Sequence, residues 1–169
     1  MGERPPLFLG LLAEHPELIA EVGVLRWREW GGGSPTPGAW IQVTAREAGS
    51  EHLPVTLVAM DLDGHALGAV ALGEYDDALD QEERAGRSPW LLGMVVRRPE
   101  RKCGVGRLLV TAIEDLARSR GHDRLWVATG AEAVAFYERC DWERQQALVL
   151  SHDDQSTTVV LARDLLTTE

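Results

Sequence analysis

The chain has 169 residues and a formal net charge of −10, from 17 lysines and arginines against 27 aspartates and glutamates. The length suits one domain with a full core. The acidity disfavours non-specific binding to nucleic acid or to an anionic membrane surface, and no apolar run is long enough to span a bilayer.

The first fifteen residues hold a short apolar patch without a basic run or a small-residue cleavage site, so no signal peptide is expected. Within them, Leu7 to Leu12 is a candidate strand. His15-Pro16-Glu17 opens a helix, with proline at the first helical position and an acid in the first turn. Leu18, Ile19, Val22, Leu25 and Trp30 form its apolar stripe. Gly31-Gly32-Gly33 ends it, and residues 31–38 are a loop. Trp40 to Ala48 is a second short helix. Val55 to Asp61 and Ala66 to Leu72 are β-rich runs around Asp63-Gly64, a hairpin signal. Glu74 to Ser88 is a polar, strongly acidic connection. Trp90 to Val96 is an apolar strand, and Arg97 to Cys103 a basic, proline-marked turn. The helix from Gly104 to Arg120 puts Leu108, Leu109, Ala112, Ile113 and Leu116 on one face and stops at Gly121. Leu125 to Ala128 is a short strand and Ala131 to Cys140 a short helix. Ala147 to Leu150 and Thr157 to Ala162 pair around a turn at Asp153-Asp154. This order predicts one mixed α/β (α+β) domain over residues 1–169, antiparallel in its first half.

The chemistry concentrates at Trp90 to Leu109. A strand, a basic turn with glycine and a helix N-terminus make an anion-binding device. The first helical N–H groups have no intrahelical acceptor and carry the positive end of the helix dipole. The turn reads R-x-x-G-x-G across Arg101, Lys102, Cys103, Gly104, Val105 and Gly106. With Val96 and Pro99 before it, this resembles the V-x-P-x-x-R-G-x-G-x-G signature of the GNAT superfamily of N-acetyltransferases. Lys102 stands where a glycine is common, and Cys103 where a basic or polar residue is common. A second segment, Ala133 to Trp142, is similar to the family's A-x-x-F-Y-E-K-x-G-F stretch. There Asp141 replaces the usual glycine, and Gly130 stands where many members carry an asparagine.

The resemblance implies a central mixed, mostly antiparallel sheet of about six to seven strands flanked by about four helices. It implies an acetyl-CoA-dependent N-acetyltransferase acting on a primary amine of a small molecule or peptide, by direct transfer in a ternary complex. It also implies that the pantetheine arm pairs with the main chain of Met94, Val95 and Val96. The pyrophosphate would meet the N–H groups of Lys102, Cys103, Gly104, Val105, Gly106 and Arg107, with the Arg101 and Lys102 side chains nearby. Phe136 would join this coenzyme slot, and Tyr137 would be the general acid beside the coenzyme sulfur. Gly93, a strand interruption, is where the strand is expected to splay. The Val95 or Val96 N–H is the candidate that polarises the thioester carbonyl.

Glu74, at the end of the preceding strand, is the first choice for general base, with Asp76 and Asp77 as alternates. The same acidic segment would draw a cationic acceptor. Trp30 and Trp90 are candidate acceptor contacts beside Asp76 and Asp77, although core packing is the commoner role of a tryptophan. The histidines show no ligand spacing, so no metal is expected. The two cysteines, Cys103 and Cys140, suggest no disulfide scaffold and point to a reducing cytoplasm. Dimers are common in the superfamily, so a homodimer is open. The alternative function is a non-catalytic acyl-CoA-binding regulatory domain. A nucleotide enzyme is disfavoured, because neither a G-x-x-x-x-G-K-[ST] nor a G-x-G-x-x-G motif is present.

Overall fold

The structure, a computed structural model, describes residues 3–149 and 157–166. Its seven strands are β1 (Leu7–Leu11), β2 (Val55–Asp61), β3 (Ala66–Gly73), β4 (Trp90–Val96), β5 (Arg124–Gly130), β6 (Glu143–Val149) and β7 (Thr157–Asp164). They follow the order β1-β2-β3-β4-β5-β7-β6 in a mixed sheet. Five α-helices accompany them: α1 (Ile19–Trp30), α2 (Gly38–Arg46), α3 (Gln81–Arg84), α4 (Val105–Ser119) and α5 (Ala131–Arg139). No helix among the described residues is long and apolar enough to cross a membrane. The chain forms two compact units, Met1–Leu72 with Gly93–Ile113, and Gly73–Leu92 with Glu114–Glu169. Strand β4 and helix α4 each change unit part-way.

In the first unit β1, β2 and β3 form an antiparallel meander with Leu7 opposite Asp61 and Val55 opposite Leu72. Its core gathers Leu12, Leu18, Val22 and Leu25 with Val58, Met60, Ala69 and Val95. β3 is buried along its whole length, so it reads as a continuous apolar run rather than an alternating one. In the second unit β5 runs antiparallel to β7, and β7 to β6. The start of β4 runs parallel to β5, with Trp90 opposite Trp126. Leu79, Trp90 and Val160 form the core there, with Leu92, Trp126 and Leu148 packed on them.

Three elements differ from the sequence expectation by more than two residues. The helix predicted from His15 begins at Ile19. It is preceded by two 3-10 turns, Leu12–Glu14 and Pro16–Leu18. A residue before proline is pushed out of the helical region, and His15 has φ −131° and ψ 57°. β6 starts at Glu143, four residues before the predicted start at Ala147. Its first five residues are exposed, so no apolar alternation marks them. Helix α3 lies within the acidic connection, where no helix is expected, although Asp80 and Glu83 form a capping box, a pattern a sequence can show. Leu150 and the predicted turn at Asp153-Asp154 lie outside the described residues.

Candidate active site

In the first unit, the end of β4 sets the direction of its backbone groups. The Arg97 N–H donates to the Leu67 carbonyl of β3 at 2.8 Å. Successive N–H groups of a strand alternate in direction, so those of Met94 and Val96 turn away from β3. The Val95 carbonyl agrees with this sense. It lies against Gly68, 2.6 Å from where a Cβ would stand. Of the two amides expected to polarise a carbonyl, Val96 therefore has its N–H turned away from the β3 ladder, and Val95 does not. Gly93 has φ 56°, a left-handed residue inside the strand.

The turn that follows is braced by charge. Arg97 donates to Glu100 through Nε at 2.8 Å and Nη2 at 2.6 Å. These bonds hold the Glu100 carboxyl below its ordinary pKa and raise that of Arg97. Arg101 donates through Nε to the Val96 carbonyl at 3.0 Å and through Nη2 to Glu29 of α1 at 2.6 Å. Arg101 thus ties the turn to β4 and α1. Lys102 has φ 63° and Gly104 φ 86°, which explains why glycine suits both positions. Arg98 and Lys102 are exposed, and neither forms an ion pair among the described residues. Cys103 is half-buried, its Sγ 3.6 Å from the Arg101 carbonyl. The α4 ladder opens with the Leu108 N–H bonded to the Gly104 carbonyl at 3.1 Å. The N–H groups of Val105 and Gly106 precede that bond. Trp30 ends α1, 44% exposed, with its ring centroid 5.9 Å from that of Trp40.

In the second unit, Glu74 is exposed just beyond β3, and its carbonyl accepts from the Ser88 hydroxyl at 2.8 Å. Asp76 is partly buried. Its Oδ1 accepts from the Ala78 N–H at 2.9 Å, and its carbonyl accepts from Arg84 Nε at 3.2 Å. Burial raises the Asp76 carboxyl pKa, and the neighbouring charge of Asp77 adds to the rise. Asp77 is exposed. Asp80 and Glu83 are committed to capping α3. Trp90 is wholly buried, its Nε1 donating to the Arg87 carbonyl at 2.8 Å. It packs as core and offers no surface to an acceptor. On α5, Tyr137 is 4% exposed. Its ring meets Phe136 edge-on at 5.1 Å and Trp142 at 5.5 Å. Burial pushes the Tyr137 pKa up, so its hydroxyl keeps its proton. Asp141 has φ 66°, the left-handed cap that aspartate tolerates better than most residues.

The acetyltransferase (GNAT) family model matches residues 19–142, both motif segments included. The chain belongs to this family. Solved structures similar to this acetyltransferase include an aminoglycoside 6'-N-acetyltransferase complexed with coenzyme A. It is 15% identical with TM-score 0.75, covering 96% of this chain and 99% of that one. The aminoglycoside 6'-N-acetyltransferase from Enterococcus faecium is 16% identical with TM-score 0.72, covering 96% and 99%. A spermidine/spermine N-acetyltransferase from Vibrio cholerae is 14% identical with TM-score 0.66, covering 94% and 92%. At these identities the likeness is one of fold. The comparison with curated proteins found no significant sequence match.

The acetyltransferase's turn fits a coenzyme A pyrophosphate on its own geometry. It is exposed and basic, it holds two left-handed residues that turn the backbone sharply, and it leads into a helix N-terminus. Sequence reasoning gave Arg101 a place near the phosphates; the structure gives it a bracing role through Glu29 and Val96. Two contributors carry no local signal. Glu29 lies far from the turn in sequence, and only its ion pair with Arg101 reveals it. Arg26, which reaches Gly93, has the sequence appearance of a residue on the polar face of a surface helix.

Proposed function

We propose that this protein is an N-acetyltransferase that moves an acetyl group from acetyl-CoA to a primary amine of a small molecule or peptide, by direct transfer in a ternary complex. The observation that carries the reading is the Arg101–Gly106 turn in a chain of the acetyltransferase family. Its left-handed Lys102 and Gly104, its exposed Lys102 side chain and its helix N-terminus are suited to a pyrophosphate. The whole chain acts as one acetyltransferase domain in the cytoplasm.

Acetyl-CoA supplies an activated acetyl thioester. The N–H groups from Lys102 to Arg107 hold its phosphates, and the outward amides and carbonyls of Met94 to Val96 hold its arm. The Val96 N–H polarises the carbonyl under attack. Tyr137, kept neutral by burial, donates a proton to the leaving thiolate. Glu74 takes the proton from the incoming ammonium, with Asp76, whose pKa is raised, as the alternate. Asp76 and Asp77 attract the acceptor. The solved neighbours named for aminoglycosides and for spermidine or spermine, both polycationic amines, together with the net charge of −10, favour a cationic acceptor.

A panel of amines incubated with acetyl-CoA, read by free thiol release and by a mass gain of one acetyl group, tests the function. A cationic primary amine should be acetylated. Tight acetyl-CoA binding with no thiol release for any amine class would instead establish the non-catalytic, regulatory reading.

A further inference from the structure

Arg26 of α1 is 1% exposed, the only buried cation among the described residues. Its guanidinium bonds three residues on two segments of the first unit, β4 and the end of α2. Nε donates to the Gly93 carbonyl at 3.2 Å, and Nη1 donates to Thr44 Oγ1 at 3.1 Å and to Glu47 Oε1 at 2.9 Å. Nη2 is buried without a hydrogen-bond partner. Burial lowers the Arg26 pKa, and Glu47 opposes that fall.

A buried ion pair is a weak way to stabilise a core, because desolvation cancels most of the attraction and apolar packing serves as well. An orphaned donor makes the arrangement costlier still. What Arg26 touches accounts for it. Gly93 is left-handed within β4, and a Cβ on it would stand 2.7 Å from Nη2, 2.9 Å from Cζ and 3.0 Å from Nε. The guanidinium therefore occupies the space that a side chain at position 93 would take, while its Nε grips the carbonyl. A trans peptide is planar, so fixing the Gly93 C=O also fixes the Met94 N–H, which points the opposite way. The Met94 N–H is one of the two, with that of Val96, that turn away from β3. The Nη2 side of the guanidinium lies against Gly93, while its charge is paired with Glu47 through Nη1.

We propose that Arg26 is a positioning residue for acetyl transfer, clamping the Gly93–Met94 peptide so that the Met94 and Val96 amides are aimed at the thioester. The proposal rests on the N-acetyltransferase reading above. It gives Glu47 and Thr44 a supporting part, as the groups that hold the guanidinium in its plane. It also separates the role of β4 from that of the turn after it, which is braced independently through Arg101 and Glu29.

The test is steady-state kinetics on the full chain with the best acceptor from the amine panel. The variants are Arg26→Lys and the charge-neutral pair Arg26→Met with Glu47→Gln. Arg26→Lys keeps the buried charge and its Glu47 partner but loses the fork that reaches Gly93. Both variants should lower kcat by about 10- to 100-fold. The fall in kcat should exceed any rise in the KM for acetyl-CoA, whose phosphates are held by the separately braced turn. A purely structural Arg26 would lower the melting temperature and leave kcat per folded molecule unchanged. That result in Arg26→Lys alone overturns the proposal, whether or not the neutral pair folds. A wild-type protein with no turnover on any amine would overturn the acetyltransferase reading itself, and is seen before any variant is made.

Discussion

Replacing Gly93 by alanine tests the clamp from the strand side. At φ 56° an alanine is strained, by about 1 kcal/mol after allowing for its less mobile unfolded chain. Its Cβ would also stand 2.7 to 3.0 Å from three atoms of the Arg26 guanidinium. Those atoms cannot swing aside freely, because the group is bonded to Gly93, Thr44 and Glu47. Overpacking against such a fixed group costs about 1–3 kcal/mol. The sum is about 2–4 kcal/mol, a fall in melting temperature of roughly 4–16 °C for a chain of this size. Gly64→Ala is the control. Gly64 has φ 82° with no atom within 4 Å of the place a Cβ would take, so it loses only the strain of about 1 kcal/mol. Urea unfolding followed by tryptophan fluorescence gives both values. If Gly93→Ala is no more destabilised than Gly64→Ala, the guanidinium is not fixed and the clamp does not exist.

Three further substitutions separate backbone from side-chain roles. Lys102→Gly relieves a left-handed lysine and should gain about 0.5–1 kcal/mol; acetyl-CoA titrated into it should bind within about tenfold of wild type, because the amide that holds phosphate is unchanged. Asp76→Asn keeps the Oδ1 acceptor for Ala78. A carboxyl whose pKa is raised on folding loses stabilising effect as pH rises from its ordinary value, 3.8, through the raised one. The variant should therefore gain stability relative to wild type at neutral pH and not at about pH 4, while the KM of a cationic acceptor rises; equal stability changes at both pH values would contradict this. Tyr137→Phe retains the ring contacts with Phe136 and Trp142, so stability should change by less than about 1 kcal/mol. Its kcat should fall by about 100-fold or more, and an unchanged kcat would make Tyr137 a core residue.

The parts of this fold that a single sequence revealed are those whose signal is local. Trp90–Val96 and Val55–Asp61 have the predicted bounds because apolar runs bracketed by turn residues mark them. Gly93 was legible as an interruption, and its left-handed φ gives that interruption a shape. The Arg101–Gly106 turn and Phe136-Tyr137 were legible through family resemblance. What escaped depends on partners distant in sequence. Arg26 looks like one more charge on an amphipathic helix until β4 arrives beside it, 67 residues on. Glu29 and Arg101 are 72 residues apart. Trp90, an expected acceptor contact, is enclosed by Leu79 and Val160, which no local pattern could indicate. The polar start of β6 has no apolar face to betray it, since its ladder to β7 alone makes it a strand.

The central claim is that the Arg101–Gly106 turn holds the phosphates of acetyl-CoA. Gly104 has φ 86° and open space around a would-be Cβ, so Gly104→Ala and Gly104→Glu carry the same backbone strain and differ in charge. Isothermal titration of acetyl-CoA into wild type, Gly104→Ala and Gly104→Glu isolates the anion site. Clear binding to wild type, weakened binding to Gly104→Ala and none to Gly104→Glu is the expected order. Equal affinity for Gly104→Ala and Gly104→Glu, or no heat with wild type, would contradict the account.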